Sequence, residues 1–225
     1  MSEVNSIALL LLFIFMITSK TSKENRVKKR IVIFASGSGT NTQNLIQHFQ
    51  QSIFAEVVLV LSNKKDAKVL IRSKSLLVNS RHFKKEELFS SEGVLRLLKE
   101  VQADLIVLAG FLLKFPATIL TEYPNQVINL HPALLPKYGG KGMYGHYVHD
   151  AVVANKEEET GITIHYVNEN YDEGAIIFQK SVQLSEEDTP ESVADKIHKL
   201  EYNYFPGVIE ELILSEIERE KASKG

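Results

Sequence analysis

The chain is predicted to be an α/β protein with a mostly parallel central sheet flanked by helices, a Rossmann-like arrangement that ends in a β-hairpin and a helix. Three features of the sequence lead there. Short apolar runs (RIVIFA, EVVLVL, DLIVLA) alternate with segments of helical periodicity, the signature of strands joined by helical crossovers. The first run empties into a glycine turn, SGSG, as βα units do. Near the C-terminus, Ile162, Ile164 and Tyr166 alternate with Thr163, His165 and Val167, the period of two expected of a strand in a hairpin.

The elements follow in order. Arg30 to Ala35 is a buried strand, Ser36 to Asn41 a glycine turn and Asn44 to Gln51 a helix. Glu56 to Leu61 is a second strand and Leu76 to Val78 a short third. From Lys84 to Val101, the residues Leu88, Val94, Leu95, Leu97, Leu98 and Val101 supply the apolar side of one helix. Asp104 to Ala109 and Gln126 to Leu130 complete the central strands, and His146 to Ala154 reads as a helix after a long loop. Thr160 to Val167 and Ala175 to Leu184 form the hairpin around the turn Asn168 to Gly174. Thr189 then caps a final helix with Pro190 at its first position. Pro206, inside that helix, is expected to kink or interrupt it.

Composition limits the function classes. The 225 residues suffice for one generous domain or two small ones, and no linker divides them. Apolar residues at 44% and charged residues at 24% are ordinary for a globular protein and do not favour disorder. A net charge of -2 provides no general attraction for a polyanion, so nucleic acid is not expected as a partner. With no cysteine there is neither a disulfide framework nor a thiolate metal site, which suits a reducing compartment. Residues 1–29 differ in kind. The run Ile7 to Ile17 is shorter than the roughly 18–20 residues a spanning helix needs. It also lacks the flanks of a signal peptide. Two readings stand: a start codon placed too early, with Met16 a candidate true start, or a weak anchor oriented by Lys20, Lys23, Arg26, Lys28, Lys29 and Arg30.

Chemistry concentrates at Val127 to Tyr138 (VINLHPALLPKY). Asn129 and His131 are two apart on a strand and share a face. A carboxamide beside an imidazole can steady an oxyanion and move a proton. The turn Ser36 to Asn41 lies between a strand and a helix, where free backbone N–H groups favour an anion such as phosphate. As a dinucleotide fingerprint it is defective, because Thr42 stands where the third glycine would be. Asp172 sits in the hairpin turn. If that turn folds back on His131, the carboxylate is expected to raise the imidazole pKa above its reference of about 6.5. His165 reads either as a hydrogen-bonded core histidine or as support for the site. His48, His82 and His198 read as surface residues on position alone. His146 and His149 lack a third ligand at useful spacing, so no metal is assigned.

Taken together, SGSGTN, LAGFLLKFP (Leu108 to Pro116), INLHPALLPKY, GITIHYV and YDEG resemble the phosphoribosylglycinamide formyltransferase family, folate-dependent enzymes of purine synthesis. The resemblance runs from about Arg30 to about Ile213, and implies an N-terminal extension (1–29) before a catalytic domain (30–225) of the formyltransferase fold. It implies that Asn129, His131 and Asp172 are catalytic. Gly39, Thr40, Asn41, His198 and Glu201 would bind glycinamide ribonucleotide. Lys85, Leu112, Leu113, Lys114, Phe115, Asn129, Asn168, Glu169, Asn170, Tyr171 and Asp172 would line the folate site. The implied cosubstrate is 10-formyltetrahydrofolate, without metal, in a cytoplasmic monomer or homodimer that acts on small molecules and stays off the membrane. Two departures stand out: the loop GGKGMYGHYVHDA replaces a PG-L-H-like segment, and GFLLKFP is about one residue short.

Three rival readings differ in what they require. A methionyl-tRNA formyltransferase would call for a further C-terminal barrel, and a formyltetrahydrofolate hydrolase for an N-terminal regulatory domain. The phosphate-type turn favours a nucleotide substrate over both. A non-catalytic nucleotide-binding module would bind dinucleotide tightly and be indifferent to changes at His131.

Overall fold

A computed structural model describes residues 28–223. The apolar run Ile7 to Ile17, and Lys20, Lys23 and Arg26 with it, lie outside the described residues.

Seven strands form one sheet in the order β3-β2-β1-β4-β5-β6-β7. They are β1 (Lys29–Phe34), β2 (Ala55–Ser62), β3 (Ser80–His82), β4 (Leu105–Leu108), β5 (Val127–His131), β6 (Glu159–Tyr166) and β7 (Ile176–Gln183). The pairs from β3 through β5 are parallel; β6 runs antiparallel to β5, and β7 to β6. The helices are α1 (Thr40–Phe49), α2 (Lys68–Ser75), α3 (Lys85–Leu88), α4 (Val94–Glu100), α5 (Ala117–Glu122), α6 (His146–Ala154) and α7 (Pro190–Ala222). Among the described residues no helix is long and apolar enough to cross a membrane.

Strand periodicity builds two cores. Ile31 and Ile33 of β1 face a cluster with Leu45, Ile46, Phe49, Val148, Ile197 and Phe205 from α1, α6 and α7. Val32 and Phe34 face the other side, with Leu88, Leu98 and Ile119 from α3, α4 and α5. There Phe34 meets Phe83, Phe111 and Phe115 edge to face at centroid separations of 5.9, 5.4 and 5.2 Å, the geometry ring quadrupoles favour. Both faces of the parallel strands are therefore covered, which is why β1 and β4 read as continuous apolar runs.

Four expectations need correction. Leu76 to Val78 is not a strand: α2 ends at Ser75, Leu77 takes a left-handed φ of 61° and is 95% exposed. The third strand is the polar Ser80–His82, paired to Val60–Ser62 at the sheet edge, where an apolar pattern is not required. The helix expected over Lys84 to Val101 is two helices. A turn closed by Gly93 N–H to the Ser90 carbonyl (3.2 Å) separates them, and a Cβ at Gly93 would lie 2.0 Å from the Glu87 carbonyl oxygen. Two short helices, α2 and α5, form where the sequence carries no clear helical pattern. Finally, α7 is not interrupted at Pro206.

That continuity has a physical cause. Proline lacks the N–H that would reach the carbonyl four residues back, on Tyr202. The side chain of Asn44, from α1, donates to that oxygen at 2.8 Å. The replacement partner also fastens α7 to α1 one residue from Glu201. Asn44→Ala should cost about 1–3 kcal/mol, the penalty of an unsatisfied buried group, read as a lower thermal midpoint. Pro206→Ala in that background restores an N–H for Tyr202 and should recover part of the loss. Equal stability of Asn44→Ala and the parent would refute the account.

Candidate functional site

Strand order reverses between β1 and β4, and in open α/β sheets the crevice at the carboxyl ends of the strands beside such a point takes ligands. A cleft of about 740 Å³ lies there. The turn 37–41 after β1, the segment 109–112 after β4, and Asn129 to Pro132 at the end of β5 line it, with the loop 140–145, Tyr171, Asp172, His198 and Glu201.

Asn129 and His131 reach the cleft from one face of β5, opposite His165 and Thr163 of β6. His131 is only 3% exposed. Its Nε2 lies 2.8 Å from the Tyr138 carbonyl oxygen. Since a carbonyl only accepts, Nε2 carries the hydrogen and Nδ1 is left toward Asp172, whose Oδ2 is 3.6 Å away. Asp172 sits at a left-handed φ of 57°, a conformation aspartate tolerates better than most residues. Its Oδ2 accepts the Gly140 N–H at 2.9 Å.

Asn129 Nδ2 has two hydrogens and two neighbours: His165 Nε2 at 3.1 Å and Asp172 Oδ1 at 3.5 Å. His165 Nδ1 donates to the Tyr166 carbonyl at 2.8 Å, leaving Nε2 to accept from Asn129. So His165 is a buried, hydrogen-bonded histidine, as the first of the two readings has it, and one of its partners is Asn129. The bond from Asn129 to Asp172 is the longer of the amide's pair.

Charge follows these contacts, with one correction. Burial pulls the His131 pKa below its ordinary 6.5 and outweighs the opposing pull of Asp172 and the Tyr138 carbonyl; His165 adds to the downward shift. The expected increase therefore does not occur, because desolvation of the imidazolium wins over the carboxylate. Burial also disfavours the charge on Asp172, but His165, His131 and the Gly140 N–H together hold its carboxyl below the ordinary range.

The start of α1 also lines the cleft, with Gly39 as N-cap at φ 76°. Its turn is pinned from behind by α2: Val69 N–H donates to the Gly37 carbonyl at 3.2 Å and Arg72 Nε to the Ser38 carbonyl at 2.9 Å. Asn41 Nδ2 donates to Glu201 Oε2 at 2.9 Å. Glu201 is 7% exposed, and its burial pushes the carboxyl up against the opposing effects of Asn41 and His198.

The cleft thus gathers Gly39, Thr40, Asn41, Leu112, Asn129, His131, Tyr171, Asp172, His198 and Glu201. It does not gather Lys85, Leu113, Lys114, Phe115, Asn168, Glu169 or Asn170. Lys85 is exposed at the start of α3. Phe115 is packed in the aromatic core, while Lys114 and Glu169 border a separate, smaller groove with it. Sequence reasoning missed Lys141, Met143, Tyr144, His146 and His149 as lining residues. The glycine-rich loop marked that region, but the docking of α6 against α7 is tertiary and has no local signal. His149 is buried and its Nδ1 makes no hydrogen bond among the described residues. Burial lowers its pKa, with His198 and His146 acting in the same direction and Asp150 against it. Among the described residues, no group of three or more His, Cys, Asp or Glu could hold a metal ion.

Comparison with known proteins matches residues 29–209 to the formyl transferase family. The chain is 38% identical over 194 residues to the trifunctional purine biosynthetic protein adenosine-3 of Drosophila melanogaster, covering 83% of this chain and spanning 14% of that protein. It is 32% identical over 190 residues to the phosphoribosylglycinamide formyltransferase of Bacillus subtilis, covering 82% of this chain and 95% of that one. The crystal structure of phosphoribosylglycinamide formyltransferase from Bacillus halodurans superposes with a TM-score of 0.74 at 36% identity, over 82% of this chain and 95% of that one.

Proposed function

The chain belongs to the formyl transferase family, and on that premise we propose that Asn129, His131 and Asp172 carry formyl transfer from 10-formyltetrahydrofolate to the amine of glycinamide ribonucleotide. The chain is an enzyme, a one-carbon transferase of de novo purine biosynthesis. The absence of cysteine suits a cytoplasmic setting, and the catalytic unit begins at about Arg30.

One observation carries the assignment: an amide and an imidazole that both meet one carboxylate, in a cleft that a helix N-terminus also lines. The ribonucleotide phosphate lies at Gly39 to Asn41, where backbone N–H groups and the helix dipole favour an anion. Glu201 and His198 flank its ribose side. The pterin enters beside Leu112 and Tyr171.

The amine attacks the formyl carbon, and the carbonyl oxygen becomes an oxyanion that Asn129 Nδ2 stabilises. His131 meets this step largely neutral at pH 7, with Nδ1 free to take the proton from the attacking nitrogen. Asp172 then stabilises the imidazolium that forms. As the bond from carbon to N10 breaks, His131 returns the proton to N10 and tetrahydrofolate leaves. The nucleophile belongs to the substrate, so no covalent enzyme intermediate is required, and positioning of the two substrates supplies much of the rate.

Loss of 10-formyltetrahydrofolate should be followed with and without glycinamide ribonucleotide. Turnover that requires the ribonucleotide is expected. Equal turnover without it would make the chain a hydrolase and sink the proposal.

A further inference from the structure

Tyr138 stands out behind the site. It takes a left-handed φ of 56°, a conformation unfavourable for a bulky aromatic residue and one that persists only where surroundings enforce it. Its ring is secured far from the cleft: the hydroxyl donates to Glu157 Oε1 at 2.9 Å and accepts from Asn155 Nδ2 at 2.9 Å. Lys137 Nζ holds the same carboxylate at 3.0 Å. Asn155 and Glu157 belong to the turn between α6 and β6 and do not line the cleft.

Two backbone groups around this anchored residue meet the proposed acid–base pair. The Tyr138 carbonyl accepts from His131 Nε2 at 2.8 Å, and the Gly140 N–H donates to Asp172 Oδ2 at 2.9 Å. The first contact fixes which nitrogen of His131 carries the hydrogen, and both fix where Nδ1 and the carboxylate face each other. The strained segment 138–140 is thus a bracket between a surface anchor and the reacting groups.

We propose that Tyr138, tethered by Asn155 and Glu157, is a positioning residue that holds His131 in its Nε2–H tautomer and aligns it with Asp172. This rests on the reading of His131 and Asp172 as the acid–base pair. Without the tether the segment can relax from the left-handed conformation, the carbonyl leaves Nε2, and the hydrogen redistributes between the ring nitrogens.

The test is Tyr138→Phe, which keeps the ring and deletes both tethers, with Asn155→Ala as an exposed second variant that removes one. Nitrogen-15 NMR of the His131 ring should show the Nε2–H form in the parent and a mixture in Tyr138→Phe, with a smaller change in Asn155→Ala. kcat should fall about tenfold or more in Tyr138→Phe, on the scale that misplacement of catalytic groups costs, while the KM values change little. A parent-like tautomer and kcat in either folded variant would overturn the proposal, as would a fall in thermal stability with no change in tautomer. The NMR arm needs no turnover, so it decides the bracket even if the ribonucleotide is not the substrate.

Discussion

His131→Ala is expected to lower kcat by about 10²–10⁴-fold, the range general acid–base catalysis contributes, with smaller changes in KM. The reason is positional. His131 is the imidazole in the cleft whose Nε2 is committed to a backbone carbonyl while Nδ1 faces a carboxylate, so it is the ring prepared to accept a proton on one defined atom. His146, His149 and His198 share the cleft but lack that pairing. Alanine at 131 also leaves the Tyr138 carbonyl without its partner, so a melting curve must accompany the kinetics. A folded His131→Ala enzyme with near-parent kcat would remove the acid–base role.

Protonation gives this prediction a second, signed readout. A base that must be neutral loses activity as pH falls through its pKa, and burial places that pKa below 6.5. The acid limb of kcat/KM should therefore lie below the ordinary histidine position. Asp172 pulls in the opposite direction and raises the His131 pKa. Removing its charge with Asp172→Asn should thus move the limb to still lower pH while reducing kcat, because the imidazolium formed during reaction loses its counter-charge. A limb that moves upward in Asp172→Asn would show that another group titrates there.

Much of this arrangement was legible in the chain. The common face of Asn129 and His131 follows from strand period alone, and the glycine turn announces a helix N-terminus at the end of β1. The sign of the His131 shift was not legible, because a nearby carboxylate can be guessed from a turn whereas the desolvation that outweighs it depends on the whole packed cleft. The same holds for α7. Pro206 reads as a break until Asn44, far away in sequence, supplies a donor to the carbonyl that the proline leaves open. The packing of Phe115 was not legible either. The residue follows the cleft-lining stretch 109–112 by three residues, and its side chain packs edge to face on Phe34 and Phe111.

Gly39→Val should weaken glycinamide ribonucleotide binding by about tenfold or more while leaving folate binding nearly unchanged. The backbone term comes first: a left-handed φ of 76° costs a residue with a side chain roughly 1–2 kcal/mol, and a β-branched one is among the worst suited. Packing adds to it. A Cβ here would lie 2.4 Å from Val69 Cγ2, 2.5 Å from Val69 Cβ and 2.7 Å from Val69 Cα, so α2 or the turn must move. The turn's N–H groups are the proposed phosphate contacts, and a loss of about 1.4 kcal/mol is already tenfold in affinity. Val69→Ala removes Cγ2 but not Cβ or Cα, and so should fail to rescue. Calorimetric titration with each substrate separates the outcomes: equal weakening of both would mean general unfolding of the cleft, and unchanged ribonucleotide affinity would place the phosphate elsewhere.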